Sequence, residues 1–341
     1  MATTRPTARS RFERLPVVHQ LRQSVGLQRA MLVAGLVLTA VFVLCALLAP
    51  WLAPYSYSQL NYPDGTNFGA QQPPSAEHPL GTTVGGYDVL SRVIWGAQTA
   101  LMVVVVAIAM SVVLGILLGL VSGYLGGWVD RVLVVIADAI YAFPTLLLAI
   151  VVAIAINNGQ SGLWPGIMAA AASITVVFIP QYFRVVRAEV VRVKSEAFVE
   201  SAQVIGASTP RIMFRHVLRN STRTLPLIVT LNASEAIATL AALGFLGFGI
   251  QPTVAAEWGF DLNKSISDVA AGIWWTAIPP GVAIVLTILG ITLIGESLND
   301  LADPRLRARR RSGGKRAASQ TPADAVAAHE PTAQELMGEV Q

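Results

Sequence analysis

Residues Val93–Val129 read VIWGAQTALMVVVVAIAMSVVLGILLGLVSGYLGGWV, 37 residues without a single charge. A helix needs only about 20 apolar residues to cross the hydrocarbon core of a bilayer, so this stretch is more than one crossing long. The neighbouring sequence repeats the signal. Ala30–Ala49 is uncharged over 20 residues, and Ala139–Phe183 is uncharged over a length that holds the end of one helix, a turn and another helix. Thr224–Ile250 carries one acid, Glu235, and Val269–Gly295 carries no charge. Six spans follow, at about 30–49, 99–121, 132–156, 164–184, 224–247 and 275–296. The composition agrees. Of 341 residues 54% are hydrophobic and 13% charged, with a mean hydropathy of +0.58, whereas soluble domains carry roughly 25% charge. The fold class is all-α, a polytopic membrane protein with six transmembrane helices.

Basic residues predict the orientation, because cytoplasmic loops hold the excess of Lys and Arg. Six precede the first span, Arg131 lies between spans 2 and 3, eight lie from Arg184 to Arg223, and seven follow span 6. These 22 of the 24 fall on one side; only Arg92 and Lys264 fall on the other. The pattern places both termini in the cytoplasm. The net charge of +4 reflects this bias and is no sign of nucleic-acid binding. Span 1 is too long for the core of a signal peptide, and Ala49-Pro50-Trp51 is a poor cleavage site. Cys45 is the single cysteine, which excludes a disulfide within the chain. His19, His78, His216 and His329 are scattered, with no metal-ligand spacing.

Four regions follow. Residues 1–28 form a basic tail expected to be disordered. Residues 29–92 hold the first helix and a long extracytoplasmic loop, 50–92, rich in Pro, Gly, Tyr and Asn. Residues 93–303 form a five-helix core interrupted by a charged cytoplasmic loop, 188–221. Residues 304–341 form a second disordered tail, opening with Arg305, Arg307, Arg309, Arg310 and Arg311, a cluster suited to anionic headgroups. Within span 2, Ser111, Gly115, Gly119, Gly123 and Gly127 recur every fourth residue. Such a ridge lets two helix backbones approach closely, and packing within the subunit is favoured over packing against a partner.

The loop 188–221 has an internal design. Phe198, Ala202 and Ile205 fall at helical spacing with Val199 beside them, while Glu200, Ser201 and Gln203 lie off that stripe. This predicts a short amphipathic helix. Gly206 is placed to end it, since glycine accepts the left-handed conformation of a C-terminal cap. Ser208 or Thr209 then caps a second helix with Pro210 at its start, and Ile212, Met213 and Val217 give that helix an apolar side. Neither helix is long enough to be stable alone in water. A groove in a partner protein and the inner membrane surface would each supply the missing packing, and the pattern alone leaves both open.

Glu200-Ser201-Ala202, with Gly206 four residues after Ala202, resembles the EAA motif of ABC importer permeases, with Ser201 in place of the middle alanine. The resemblance spans roughly residues 78–307 and narrows to the peptide/nickel permeases, on the C-type subunit of dipeptide and oligopeptide systems. It is carried in order by His78-Pro79-Leu80-Gly81-Thr82, Asp88-Val89-Leu90-Ser91-Arg92, Gly123-Tyr124-Leu125-Gly126-Gly127, Ala142-Phe143-Pro144, Val186-Arg187-Ala188-Glu189, Gly244-Phe245-Leu246-Gly247, Gln251-Pro252 and Asp303-Pro304-Arg305-Leu306-Arg307. Departures are Thr83 where the family usually has Asp, Tyr87 where it usually has Arg, Arg219 where it often has Pro, and Leu240 where it often has Glu.

The resemblance implies the ABC type I importer permease fold in the bacterial plasma membrane. It implies a heterodimer with a second permease subunit and two cytoplasmic ATPase subunits that bind ATP and Mg. It also implies an extracytoplasmic binding lipoprotein that delivers a peptide to loops 50–92 and 249–274. The ATPase-coupling residues would be Phe198, Glu200, Ser201, Ala202, Ile205 and Gly206. Nickel, glutathione or another small solute is the alternative cargo.

Two acids lie within spans, where an acid usually faces protein or water. Glu235 is a candidate to line the translocation path and attract a peptide amino group, or else forms a structural pair; Asp138 carries the same two alternatives. Asp130 is expected to pair locally with Arg131. No Gly-x4-Gly-Lys-Ser/Thr loop exists, since Gly313-Gly314-Lys315 lacks the spacing. No nucleophile elbow or His-Glu-x-x-His occurs either. The chain is expected to hold no catalytic residue, cofactor or metal of its own. A proton-coupled transporter would need acids and bases in series along the spans and would leave the cytoplasmic loop unexplained.

Overall fold

The structure is a computed structural model that describes residues 27–156 and 162–302. Residues 30–295 make one unit, and the described residues outside it are 27–29 and 296–302. The expectations for the two tails, including the arginine cluster, therefore lie almost entirely outside the described residues.

Helix α1, Leu27–Leu47, is followed by a single turn, α2, Ala49–Leu52. Residues 53–88 then wander with only two isolated bridges, Asn61 to Asn67 and Thr82 to Asp88. Helix α3 runs from Val89 to Leu125. Asp88 starts it by accepting the Ser91 N–H at 2.7 Å, and Gly126 stops it at φ +67°. This is side-chain capping at one end and a left-handed glycine at the other. At 37 residues the helix is about 55 Å long, since each residue rises about 1.5 Å. It overshoots the hydrocarbon core, and the expected span 99–121 is only its middle.

The third span differs from expectation. It is not one helix over 132–156 but a pair, α4 (Gly127–Tyr141) and α5 (Thr145–Ile156), bent by 99°. Pro144 explains the break: it lacks an N–H and its ring clashes with a preceding helical carbonyl. Helix α6, Leu163–Lys194, is likewise longer than its span of 164–184, so the loop expected from Ala188 begins in helix. Its continuation is α7 (Ala197–Val204), α8 (Thr209–Arg211), a wider i→i+5 stretch at Ile212–Val217, and α9 (Leu218–Ser221). Helix α10, Leu225–Phe245, leads to the short α11 (Trp258–Lys264) and α12 (Ile266–Ala270), and α13 covers Ile278–Ala302. Among the described residues five helices are long and apolar enough to cross a membrane, and the bent pair makes a sixth crossing if it counts as one span.

The core forms where α3 and α6 meet, the most extensive helix contact among the described residues. The two run parallel. A Cβ on Gly115 would strike Tyr182. One on Gly119 would lie 2.9 Å from both the Phe183 carbonyl oxygen and the Val186 Cβ, and one on Gly123 would lie 2.8 Å from Val190 Cγ1. The glycine ridge thus packs within the subunit, and Ser111 beside it is fully buried. Gly127 is not part of this seam, because a Cβ there would meet nothing within 4 Å and its φ is +62°; it belongs to the turn into α4. Elsewhere Gly35 of α1 meets the Gly290 carbonyl oxygen of α13, and Gly290 meets Leu38 and Thr39 in return. Lipid tails are as apolar as leucine, so close backbone contact of this kind holds spans together.

Overpacking a close-packed site costs about 1–3 kcal/mol. Gly119→Leu is expected to lower the thermal unfolding midpoint of the detergent-solubilised protein by several degrees. Val113→Leu, at a position 55% exposed on the same helix, is expected to leave it unchanged. Equal midpoints for the two variants would contradict the seam.

Candidate functional site

The loop after α6 is anchored by charge. Arg187 of α6 donates to Asp130 of α4 through Nε and Nη2, the latter at 2.7 Å, and Asp130 also accepts from Ser122 of α3. Three helices are tied at one point. The expected Asp130–Arg131 pair is therefore replaced by one across the fold, because α6 runs long enough to bring Arg187 opposite the start of α4. Two turns further on, Lys194 donates to the Tyr124 carbonyl at 2.7 Å and stands 5.3 Å from the Tyr124 ring. Arg192 bridges Glu189 and Glu196 on the surface.

Helix α7 sits on this base. Val199 is fully buried, and Ile212, Met213 and Val217 close over it. The i→i+5 stretch lets Ile212 and Val217, five apart, share the inner side. Gly206 adopts φ +84°. Its N–H donates to Gln203 and the Ala207 N–H to Ala202, at 2.9 and 3.0 Å, the paired bonds of a Schellman ending. Ser208 takes the cap position of the next helix, with Pro210 in its first turn, but makes no side-chain cap bond.

The expected apolar stripe is split. Ala202 packs partly inward beside Val199, whereas Phe198, Val204 and Ile205 point out, at 41%, 88% and 84% exposure. Glu200 is exposed and Ser201 bonds back to the Ala197 carbonyl. The helix is fixed from below and presents an apolar tip above. Sequence periodicity alone could not distinguish the two sides, because both carry apolar residues.

The intramembrane acids separate. Asp138 pairs with Arg184 at 2.7 Å, and the Arg184 guanidinium covers the Tyr141 ring at 4.3 Å. Glu235 is exposed on α10 and has no side-chain partner among the described residues. It borders a cavity of about 170 Å³ with Gln181, Phe178, Tyr141, Phe143 and Thr145. The break at Pro144 supplies one wall. Leu240, by contrast, is buried at 2% exposure, so an acid there would face the core and not this cavity.

A second polar centre, not anticipated from the sequence, lies at the opposite end of α3. Arg92 is buried and clamps Asp261 through Nε at 2.8 and 2.9 Å. Glu257 is buried, accepts the N–H groups of Gly259 and Phe260 at 2.8 and 2.9 Å, and lies where Cβ atoms on Gly244 and Gly249 would be. His78 joins Asp88 and the Tyr62 hydroxyl, each at 2.9 Å. The only sequence signal was the run of acids at 257, 261 and 268 before the last span.

Residues 115–308 match the family described as "Binding-protein-dependent transport system inner membrane component". Residues 27–74 match the "N-terminal TM domain of oligopeptide transport permease C". The chain belongs to the peptide/nickel-type ABC permease family. This permease is 36% identical over 275 residues to the relative named dipeptide transport system permease protein DppC of Alkalihalophilus pseudofirmus, covering 81% of this chain and 86% of the relative. It is 38% identical over 286 residues to the glutathione transport system permease protein GsiD of Salmonella paratyphi A, covering 84% and 88%. The same coverage and identity hold for the protein of that name in Salmonella typhimurium. The permease is thus a multi-pass membrane subunit of an ABC importer.

Burial pushes the Glu257 carboxyl up from its ordinary 4.5 to about 8, against the pull of its two N–H donors. A folded-state value above the unfolded one means that the contribution to stability is whole below about pH 4.5 and is lost as pH rises through about 8. The wild-type unfolding midpoint is expected to fall across that window, and Glu257→Gln to flatten the decline. Parallel pH profiles for both proteins would rule out this titration.

Proposed function

We propose that this permease is one half of a peptide-translocating pore whose motion is driven by a separate ATPase through α7. The observation that carries the proposal is the exposed tip formed by Phe198, Val204 and Ile205 on a helix locked by Val199 and Gly206. An apolar tip on a firmly seated helix is suited to a groove in a partner. Force applied there would pass through Lys194–Tyr124 and Arg187–Asp130 into α3, α4 and α6. Glu200, Ser201 and Ala202 shape the rest of the contact.

ATP and Mg would be bound by two cytoplasmic ATPase subunits. A second, related permease would complete the path, and a binding lipoprotein would deliver cargo at the loops 50–92 and 249–274. Both termini would lie in the cytoplasm of a bacterial cell, and this chain would carry no catalytic site. Dipeptides or oligopeptides are the proposed cargo, and the names of the relatives support a peptide class that includes glutathione. Glu235, unpaired among the described residues beside the cavity at the Pro144 break, would meet the cargo's amino group. Asp138, already paired with Arg184, would hold that helix in place.

Two outcomes are expected in proteoliposomes containing the assembled importer. Ile205→Glu should cut ATP-driven uptake at least tenfold while the subunits remain inserted and assembled. Gly206→Val should do the same, since a residue with a Cβ is disfavoured by about 1–2 kcal/mol in the left-handed region. Wild-type uptake by either would remove α7 from the drive. Glu235→Gln is expected to reduce uptake of a peptide with a free amino terminus more than uptake of its N-acetylated form. An equal effect on both peptides would assign Glu235 to structure alone.

A further inference from the structure

A cavity of about 210 Å³ opens beside α11 and α12, at the end of α3 opposite α7. Its walls are largely apolar or aromatic, from Val84, Tyr87, Pro252 and Phe260, and Asp268 lines it. Asp268 is 1% exposed. Its Oδ1 accepts from the Gln71 amide at 2.5 Å, and no donor among the described residues reaches its Oδ2. A buried carboxylate held by one neutral donor is poorly compensated, because burying a charge is costly unless it is both paired and hydrogen-bonded.

Neither Lys264, which lines the cavity, nor Arg92, which pairs with the lining residue Asp261, serves it. Arg92 is committed to Asp261, at 2.7 Å from Nη2, and its guanidinium lies 5.0 Å from the Tyr87 ring. Lys264 is exposed and stands 5.2 Å from the Phe260 ring, with no ion pair to Asp268. Asp268 Oδ2 is thus left open to a donor from outside. Apolar walls suit a hydrocarbon stem, and Oδ2 can accept an N–H.

We propose that this cavity binds an alkylammonium group, with its stem between Tyr87 and Phe260 and its nitrogen on Asp268. That chemistry is offered by a lysine side chain of a protein docked on this end of the permease, or by the amino terminus of a peptide. The proposal does not depend on the role of α7 or Glu235.

The test is the unfolding midpoint of the purified full chain, titrated with n-butylammonium chloride against equal concentrations of sodium chloride and of n-butanol. A ligand of the folded state raises the midpoint saturably. Such a rise is expected with butylammonium only, and Asp268→Asn should weaken the apparent affinity at least tenfold. Val84→Trp, at a wall residue 42% exposed, leaves the buried acids untouched and should abolish the rise by filling the cavity. Protection by Nα-acetyl-lysine amide would point to a docking protein's lysine, and protection by trialanine to a peptide terminus. No saturable rise in the wild type, or an undiminished rise in either folded variant, would overturn the proposal.

Discussion

The parallel seam between α3 and α6 is the constraint on which the other features depend. Three glycines four residues apart bring one backbone against Tyr182, Phe183, Val186 and Val190 of the other. Apolar side chains gain nothing by leaving lipid for protein, so the contact relies on close packing and its shape cannot be relaxed cheaply. Because the two helices are parallel, the chain between them must return through the membrane, and the bent pair α4 and α5 is that return. The long C-terminal ends of α3 and α6 then emerge side by side, which is what allows Arg187 to reach Asp130 and Lys194 to reach Tyr124.

The two ends of this seam are built from different chemistry. At one end, salt bridges and a lysine on a carbonyl seat a short helix whose apolar tip is left uncovered. At the other, buried polar groups join α3 and the segment 53–88 to α11 and α12: Arg92 of α3 holds Asp261, Gln71 meets Asp268, and Glu257 caps α11. Glycines at 244 and 249 leave the room that Glu257 occupies. The Arg92–Asp261 charges are tolerated because each meets the other, Glu257 is held by helix N–H groups with its carboxyl pushed up to about 8, and Asp268 is the incomplete case.

Much of the fold could be read directly, for a physical reason that applies residue by residue. An uncharged stretch such as Val93–Val129 has few alternatives to a membrane helix, since unpaired backbone groups are not tolerated in lipid. The glycine ridge, the Gly206 stop and the order Phe198 to Gly206 were legible because spacing along a helix translates into a face. What could not be read was which face looks where. Val199 and Ile205 are both aliphatic and six residues apart, yet one is fully buried and the other 84% exposed. Asp130 stands next to Arg131 in sequence, yet its partner comes from a helix 57 residues on.

The amino-acid sequence by itself determined the class of molecule: a helical membrane protein with a basic loop on one side and a glycine-stopped helix within it. Composition and periodicity are local properties, and the bilayer turns them into spans without further information. The tertiary structure decided the rest. It split the third span at Pro144, paired Asp138 with Arg184 while setting Glu235 beside a cavity, and gathered Arg92, Asp261 and Asp268 at one end of α3. Those outcomes depend on which distant helices become neighbours, and the close approach permitted by Gly115, Gly119 and Gly123 sets that arrangement.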